Sequence, residues 1–348
     1  MIRRRILLLV FCLLPVLPAA ANETVLNETG STLLYPLFQR WVAGYGETAS
    51  RVKISIAATN SGEGIQAAIA GTVEIGASDA YMSDEDAEHN RQIINVPLAI
   101  AAQTVNCNIP GLTGTELKLD GPALAGIYAG KIRQWDDPPI AALNPGISLP
   151  HHEIVPVHRD DPSGDTFVFT QFLDFSTQQW EDRVGYGTTV TWPIVPNERG
   201  AKGNDGMLQT IAATPYSVGY IGISFSGETR KAGLATVLLK NQSGKFVLPS
   251  PQTVTAAAST LDPRTPPDER LSLVYAPGDD SYPLVNYEYA VVSTSQPNKD
   301  IADAISRFLL WSIAVDGGNA AGYLQPVGFI PLPDFIRAMS EKQIGRIR

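Results

Sequence analysis

Between Val52 and Thr59 apolar and polar side chains alternate, the two-residue period of a strand with one buried face. Residues 73–79 (VEIGASD) and 153–159 (EIVPVHR) also read as strands, the first ending in Asp79 and the second in Arg159. Helical spacing appears between them. Leu34, Leu37, Phe38 and Trp41 fall at i, i+3, i+4 and i+7; Ile65, Ala68 and Ile69 form a second stripe, and Val168, Phe172 and Phe175 a third. Strand-like and helical segments in alternation predict an α/β fold. Two longer apolar runs, 95–109 and 284–293, are expected to carry the chain between domains. Two such crossings make the first domain discontinuous, 22–106 plus 284–348, and leave 107–283 as the second. A chain of 348 residues is long enough for both.

The N-terminus departs from this pattern. Arg3, Arg4 and Arg5 precede an apolar run from Ile6 to about Leu17, followed by small residues at Ala19 and Ala21. That order describes a secretory signal peptide over residues 1–21, cleaved after Ala21. The run is shorter than the roughly 20 apolar residues of a spanning helix, and Phe11 is too bulky to precede a lipid-modified Cys12. After cleavage Cys107 is the sole cysteine, so no internal disulfide can form. The net charge of −9 becomes more negative when the three arginines leave, which argues against a nucleic-acid partner. His89, His151, His152 and His158 show no metal-ligand spacing, and no metal or cofactor is expected.

Each apolar stripe begins behind a hydroxyl. Thr32 stands near the N-cap of the first, Ser61 with two glycines opens the second, and Ser163-Gly164 opens the third. Unpaired N–H groups and the helix dipole make such starts attractive to anions. Most capped helices bind nothing, so the inference rests on convergence with the strand ends at Asp79 and Arg159. The stretch VHRDDPSGDTF (157–167) sharpens the question: Arg159 and Ser163-Gly164 invite an anion, yet Asp160, Asp161 and Asp165 repel one.

The segments STLLYPLFQRW, SGEGIQAAIAGTVEIGASDAYMSDED, IYAGKIRQWDDPPIAALNPGISLP, VHRDDPSGDTFVFTQFL, AKGNDGM, VGYIGISF and YPLVNYEYAVVS resemble, in order and spacing, the periplasmic phosphate-binding protein family of high-affinity phosphate ABC transporters. The resemblance implies a type II periplasmic-binding-protein fold, its two domains joined by two crossing hinge segments. It implies a monomer in the periplasm that binds inorganic phosphate and delivers it to permease subunits at the inner membrane. Carried onto this sequence, phosphate is held by the hydroxyl and N–H of Thr32, the N–H of Leu33, Ser61, Asp79 as an acceptor, Arg159, Ser163, Gly164 and Asp165. Asp161 supports the site by pairing with Arg159. Asp160 and Glu63 are expected in solvent, and Asn204 and Asp205 at a supporting helix start without direct contact. Asp165 departs from the common family pattern, where a threonine follows the Ser-Gly pair.

The carboxylates have a chemical reason. Phosphate near neutrality keeps a proton, and a protonated oxygen needs an acceptor; a phosphate group has a second pKa of ~6. Sulfate has no such proton and would set bare oxygens against a buried carboxylate, at a cost of several kcal/mol. Asp79, with Asp165 as a second acceptor, would therefore select phosphate. Two other classes compete. A hydrolase would use Ser163 as nucleophile with His158, but the G-x-S-x-G elbow is missing. A phosphate-binding sensor or surface protein would share the site and differ only in its partner.

Overall fold

The computed structural model describes residues 23–49, 51–112 and 117–348. The expected signal peptide, residues 1–21, lies outside the described residues. Among the described residues a nine-stranded mixed sheet runs through the molecule. Its strands are β1 (Thr24–Gly30), β2 (Val52–Ala58), β3 (Ile75–Ser78), β4 (Ile93–Asn108), β5 (Val155–Arg159), β6 (Arg199–Ala201), β7 (Ser217–Gly222), β8 (Ala235–Thr236) and β9 (Val285–Ser293). The spatial order is β2-β1-β3-β9-β4-β7-β5-β6, with β8 also paired to β4.

β4 divides the sheet. From Ile93 to Ala102 it pairs antiparallel with β9; from Gln103 to Asn108 it pairs antiparallel with β7. The strand is buried on both faces, which is why it reads as a nearly unbroken apolar run. β9, the second long run, is a full member of the first half, antiparallel to β3 as well as β4. The return of the chain lies just ahead of it, where the Gln103 N–H donates to Leu284 O at 3.0 Å.

The helices that position the site are α1 (Tyr35–Thr48), α2 (Ser61–Ala70), α3 (Gly164–Ser176) and α4 (Gly203–Ala213), while α5 (Lys299–Ile313) closes the first half. The α1 stripe is buried as its spacing predicts, with Leu34, Leu37, Phe38 and Trp41 all inaccessible. Phe38 and Tyr45 meet Phe308 of α5 at 6.1 and 5.2 Å between ring centroids. Truncating a side chain such as Phe38 would cost roughly 3–5 kcal/mol. α2 covers the opposite face: Ile65 and Ala68 cluster with Val291 of β9, while the neighbouring Ala290 and Val292 join the larger core.

The second half repeats this layering. Gly219 of β7 faces Ile211 and Met207 of α4, and the next residue, Tyr220, stacks on Phe169 of α3 at 4.4 Å. Successive strand residues point to opposite faces, so α3 and α4 flank the sheet. The third stripe needs one correction. Val168 and Phe172 are buried, but Phe175 is 45% exposed and rests edge-on against Tyr186 at 5.8 Å. The last turn of α3 has run past the core.

Candidate functional site

Both halves deliver their strand ends and helix starts to one cleft. Asp79 directly follows β3, and its carboxylate accepts from Ser31 Oγ and, at 3.3 Å, from Ser61 Oγ. The Asp79 N–H donates back to Ser61 Oγ at 3.2 Å. Facing it, Arg159 ends β5 and Ser163 caps α3, its Oγ accepting from the Thr166 N–H at 3.3 Å. Gly164 and Asp165 are the first residues of α3, so their N–H groups have no partner within the helix. Gly164 fits a tight point between the two halves. A Cβ there would lie 2.6 Å from Asp79 Oδ2 and 2.6 Å from Ser61 Oγ.

Direct bonds tie the halves together. The Gly62 N–H donates to Pro162 O at 3.1 Å, and Ser224 Oγ donates to Leu33 O at 2.9 Å. Asn204, in the first turn of α4, reaches across to Thr32 Oγ1 through its backbone N–H at 3.1 Å and Nδ2 at 2.9 Å. The same Nδ2 donates to Asp165 Oδ2 at 2.7 Å.

Arg159 is held as a plane. Nε and Nη2 donate to the two oxygens of Asp161 at 2.6 and 2.5 Å, and Nη1 donates to Asp165 Oδ2 at 2.9 Å. Burial alone would lower its pKa, but Asp161 and Asp165 outweigh that and keep the guanidinium charged. Gln103 Nε2 supplies Asp165 Oδ1 at 3.0 Å, so both oxygens of that carboxylate already face protein donors. Burial, then the charge of Asp79, pushes Asp165 up to about 7 against the pull of Arg159.

A further carboxyl lies behind Asp79. Glu288, 2% exposed on β9, lies one position beyond the Tyr289–Ser78 pair and so faces Asp79, and Asn286 Nδ2 donates to Asp79 O. Burial, with Asp79 and Asp165 close by, pushes Glu288 well above the usual carboxylate range. Burial also raises Asp79, while the bonds from Glu288 and Ser31, the charge of Arg159 and the Ser61 hydroxyl pull it back.

The structure thus brings Thr32, Leu33, Ser61, Asp79, Arg159, Asp161, Ser163, Gly164 and Asp165 into one cleft. Several local roles differ from the sequence reading. Ser31, not Thr32, caps the turn leading into α1, its Oγ accepting from the N–H groups of Leu33 and Leu34 at 3.1 Å each, so the Leu33 N–H expected to meet the ligand also has a protein acceptor. Thr32 is thereby free to meet Asn204. The cap of α2 is Asn60, whose Oδ1 accepts from the Glu63 N–H at 2.8 Å, and Ser61 is the first helical residue. Glu63 and Asp160 are exposed, as expected, and so is Asp205. Ser31, Gln103, Asn286 and Glu288 were not foreseen. Their signal was a polar residue inside an apolar strand or beside the expected cap.

Among the described residues no cluster of three or more His, Cys, Asp or Glu is arranged to hold a metal, and no helix is long and apolar enough to cross a membrane. An apolar groove of about 750 Å³ lined by Trp180, Trp192 and Ile194 lies elsewhere and includes none of the cleft residues.

Comparison with known proteins agrees with this architecture. The family described as PBP superfamily domain matches residues 17–315. The phosphate-binding protein PstS of Methanocaldococcus jannaschii is 32% identical over 345 residues, covering 94% of this chain and 87% of its own. PstS of Pasteurella multocida is 33% identical over 310 residues, covering 89% and 86%. In three dimensions the phosphate binding protein from Stenotrophomonas maltophilia superposes with a TM-score of 0.69 at 19% identity, over 92% of this chain and 93% of that one. A putative phosphate ABC transporter substrate-binding protein with bound phosphate from Clostridium perfringens gives 0.63 at 17% identity, over 89% and 100%. At such identities the likeness speaks to fold alone, the two-domain α/β periplasmic-binding-protein fold expected from the sequence. The chain belongs to the PBP superfamily and, within it, to the family of the phosphate-binding proteins PstS.

Proposed function

We propose that this protein binds inorganic phosphate in the cleft between its two halves and delivers it to an ABC permease for import. The observation that carries the reading is the pairing of opposite chemistries across the cleft. Arg159 and the unpaired N–H groups at the start of α3 attract an anion, while the buried Asp79 carboxylate admits one that still carries a proton. Thr32, Leu33, Ser61, Asp79, Arg159, Ser163, Gly164 and Asp165 form the binding shell, and Asp161 fixes the guanidinium plane. Division of the chain into 22–106 plus 284–348 and 107–283 belongs to the same reading, with the two halves closing as hinged bodies. Support for it comes from β4, which pairs with β9 up to Ala102 and with β7 from Gln103 onward.

The hydrolase alternative finds less support. His158 Nδ1 meets Arg159 O at 3.0 Å and its ring stacks on Trp192 at 4.9 Å, while Ser163 Oγ serves as a helix cap.

Calorimetry on phosphate-stripped protein tests the proposal. Wild type should bind phosphate, and Arg159→Ala should weaken it by roughly 2–4 kcal/mol, the scale of a lost buried charge-assisted contact. Equal affinities in the two proteins would place the site elsewhere.

A further inference from the structure

Asp79 alone does not account for the cleft's acceptor. Glu288 sits two residues beyond Asn286 on β9, so both side chains stand on one face of the strand. Asn286 donates to the Asp79 carbonyl oxygen, and the antiparallel pairing of Tyr289 with Ser78 sets Glu288 across from Asp79, carboxyl beside carboxyl. Two carboxyl groups can share a hydrogen bond only when one of them holds a proton.

The surroundings decide which one. Asp79 receives hydroxyl bonds from Ser31 and Ser61 and faces the charge of Arg159. Glu288 has Asp165 as a further negative neighbour, and its Oε2 is buried without a hydrogen-bond partner. A negative charge on that oxygen would be desolvated and uncompensated. The charge belongs on Asp79 and the proton on Glu288.

We propose that Glu288 is a specificity-determining positioning residue, a neutral carboxylic acid that donates to Asp79 and holds it ionised as the acceptor for the ligand's proton. A carboxylate offers about four acceptor sites on its two oxygens. Ser31, Ser61 and Glu288 take one each, which leaves one directed at an anion that carries a proton. Without the Glu288 donor, Asp79 would more readily take up a proton itself. It would then donate, and a fully deprotonated anion would no longer be rejected. The inference rests on the phosphate reading of the site.

Two variants and two measurements test it. Glu288→Leu removes the donor at similar bulk. Its phosphate affinity should fall about tenfold or more, the worth of a hydrogen bond to a charged group, and its preference for phosphate over sulfate should narrow. Glu288→Gln keeps an N–H donor in the same place and should recover most of both. A Gln variant as impaired as Leu, or a Leu variant matching wild type, would overturn the proposal. Infrared spectra at neutral pH give a readout that needs no ligand: over the bands of Glu28 and Glu269, wild type should show one further protonated-carboxyl C=O band that is missing in Glu288→Gln. Identical spectra in that region would overturn the proposal whether or not phosphate is the right anion. Absence of phosphate binding in wild type would instead overturn the function, with the infrared comparison still deciding the state of Glu288.

Discussion

Arg159 and Asp165 form an ion pair of 2.9 Å with each side chain only 1% exposed, and Asp165 also accepts from Gln103 and Asn204. The loop that looked self-contradictory in sequence is therefore a support for a guanidinium, held from two sides by Asp161 and Asp165. Asp165 nevertheless lies near Asp79, and burial together with the charge of Asp79 pushes it up to about 7. Its charge develops as pH rises through that value and opposes an incoming anion, while phosphate itself loses a proton over the same range, near ~6–7. Affinity for phosphate should fall from about pH 6 to 8. Asp165→Thr, the residue common in the family, removes the titrating group and should flatten that fall. Calorimetric titrations of both proteins at several pH values check this; parallel curves would show that Asp165 is not felt by the ligand.

Gly164 makes a prediction that separates closure from folding. An alanine methyl would lie 2.6 Å from atoms of Asp79 and Ser61, which belong to the opposite half. Overpacking a tight contact costs roughly 1–3 kcal/mol, and here the cost falls on bringing the halves together. Gly164→Ala should weaken phosphate binding by that amount while thermal unfolding of the phosphate-stripped protein changes little. A large drop in unfolding temperature with unchanged affinity would contradict this role.

Much of this site was legible in the sequence because its residues sit at strand ends and helix starts, where short local patterns are informative. Asp79 and Arg159 close strand-like runs, and Ser163 precedes an apolar stripe. Glu288, Gln103 and Asn286 escaped because they lie within strands buried on both faces, where the surrounding apolar residues dominate the pattern. Ser31 escaped for a different reason. Adjacent hydroxyls at 31 and 32 are equivalent to a capping rule, and only the three-dimensional path of the turn gives the cap to Ser31 and frees Thr32 for Asn204. The exposure of Phe175 likewise depends on where α3 leaves the core, which spacing alone does not reveal.

Two buried carboxyls outside the cleft should add to the pH dependence of stability set by Asp165 and Glu288 within it. Burial raises Glu28 on β1 to about 8, and it raises Glu269 to about 8 despite the hydrogen bond from Ser340. Each has an Oε2 without a partner. Both keep a proton in the folded chain at pH values where the unfolded chain, with a carboxyl near 4.5, has released it. Their stabilising contribution is therefore fully present below about 4.5 and is lost as pH rises through about 8. The unfolding temperature of the phosphate-stripped protein should decline across this window. The double variant Glu28→Gln, Glu269→Gln should decline less steeply, and equal slopes would remove these two groups from the account.

Selection by a proton is the central claim, and it is tested most directly by isothermal titration of phosphate-stripped wild-type protein with phosphate and sulfate under identical conditions. Asp79, 2% exposed, offers as a carboxylate an acceptor that phosphate can meet and sulfate cannot. The account predicts saturable binding of phosphate and no measurable heat from sulfate at the same concentration. Comparable binding of sulfate would contradict it.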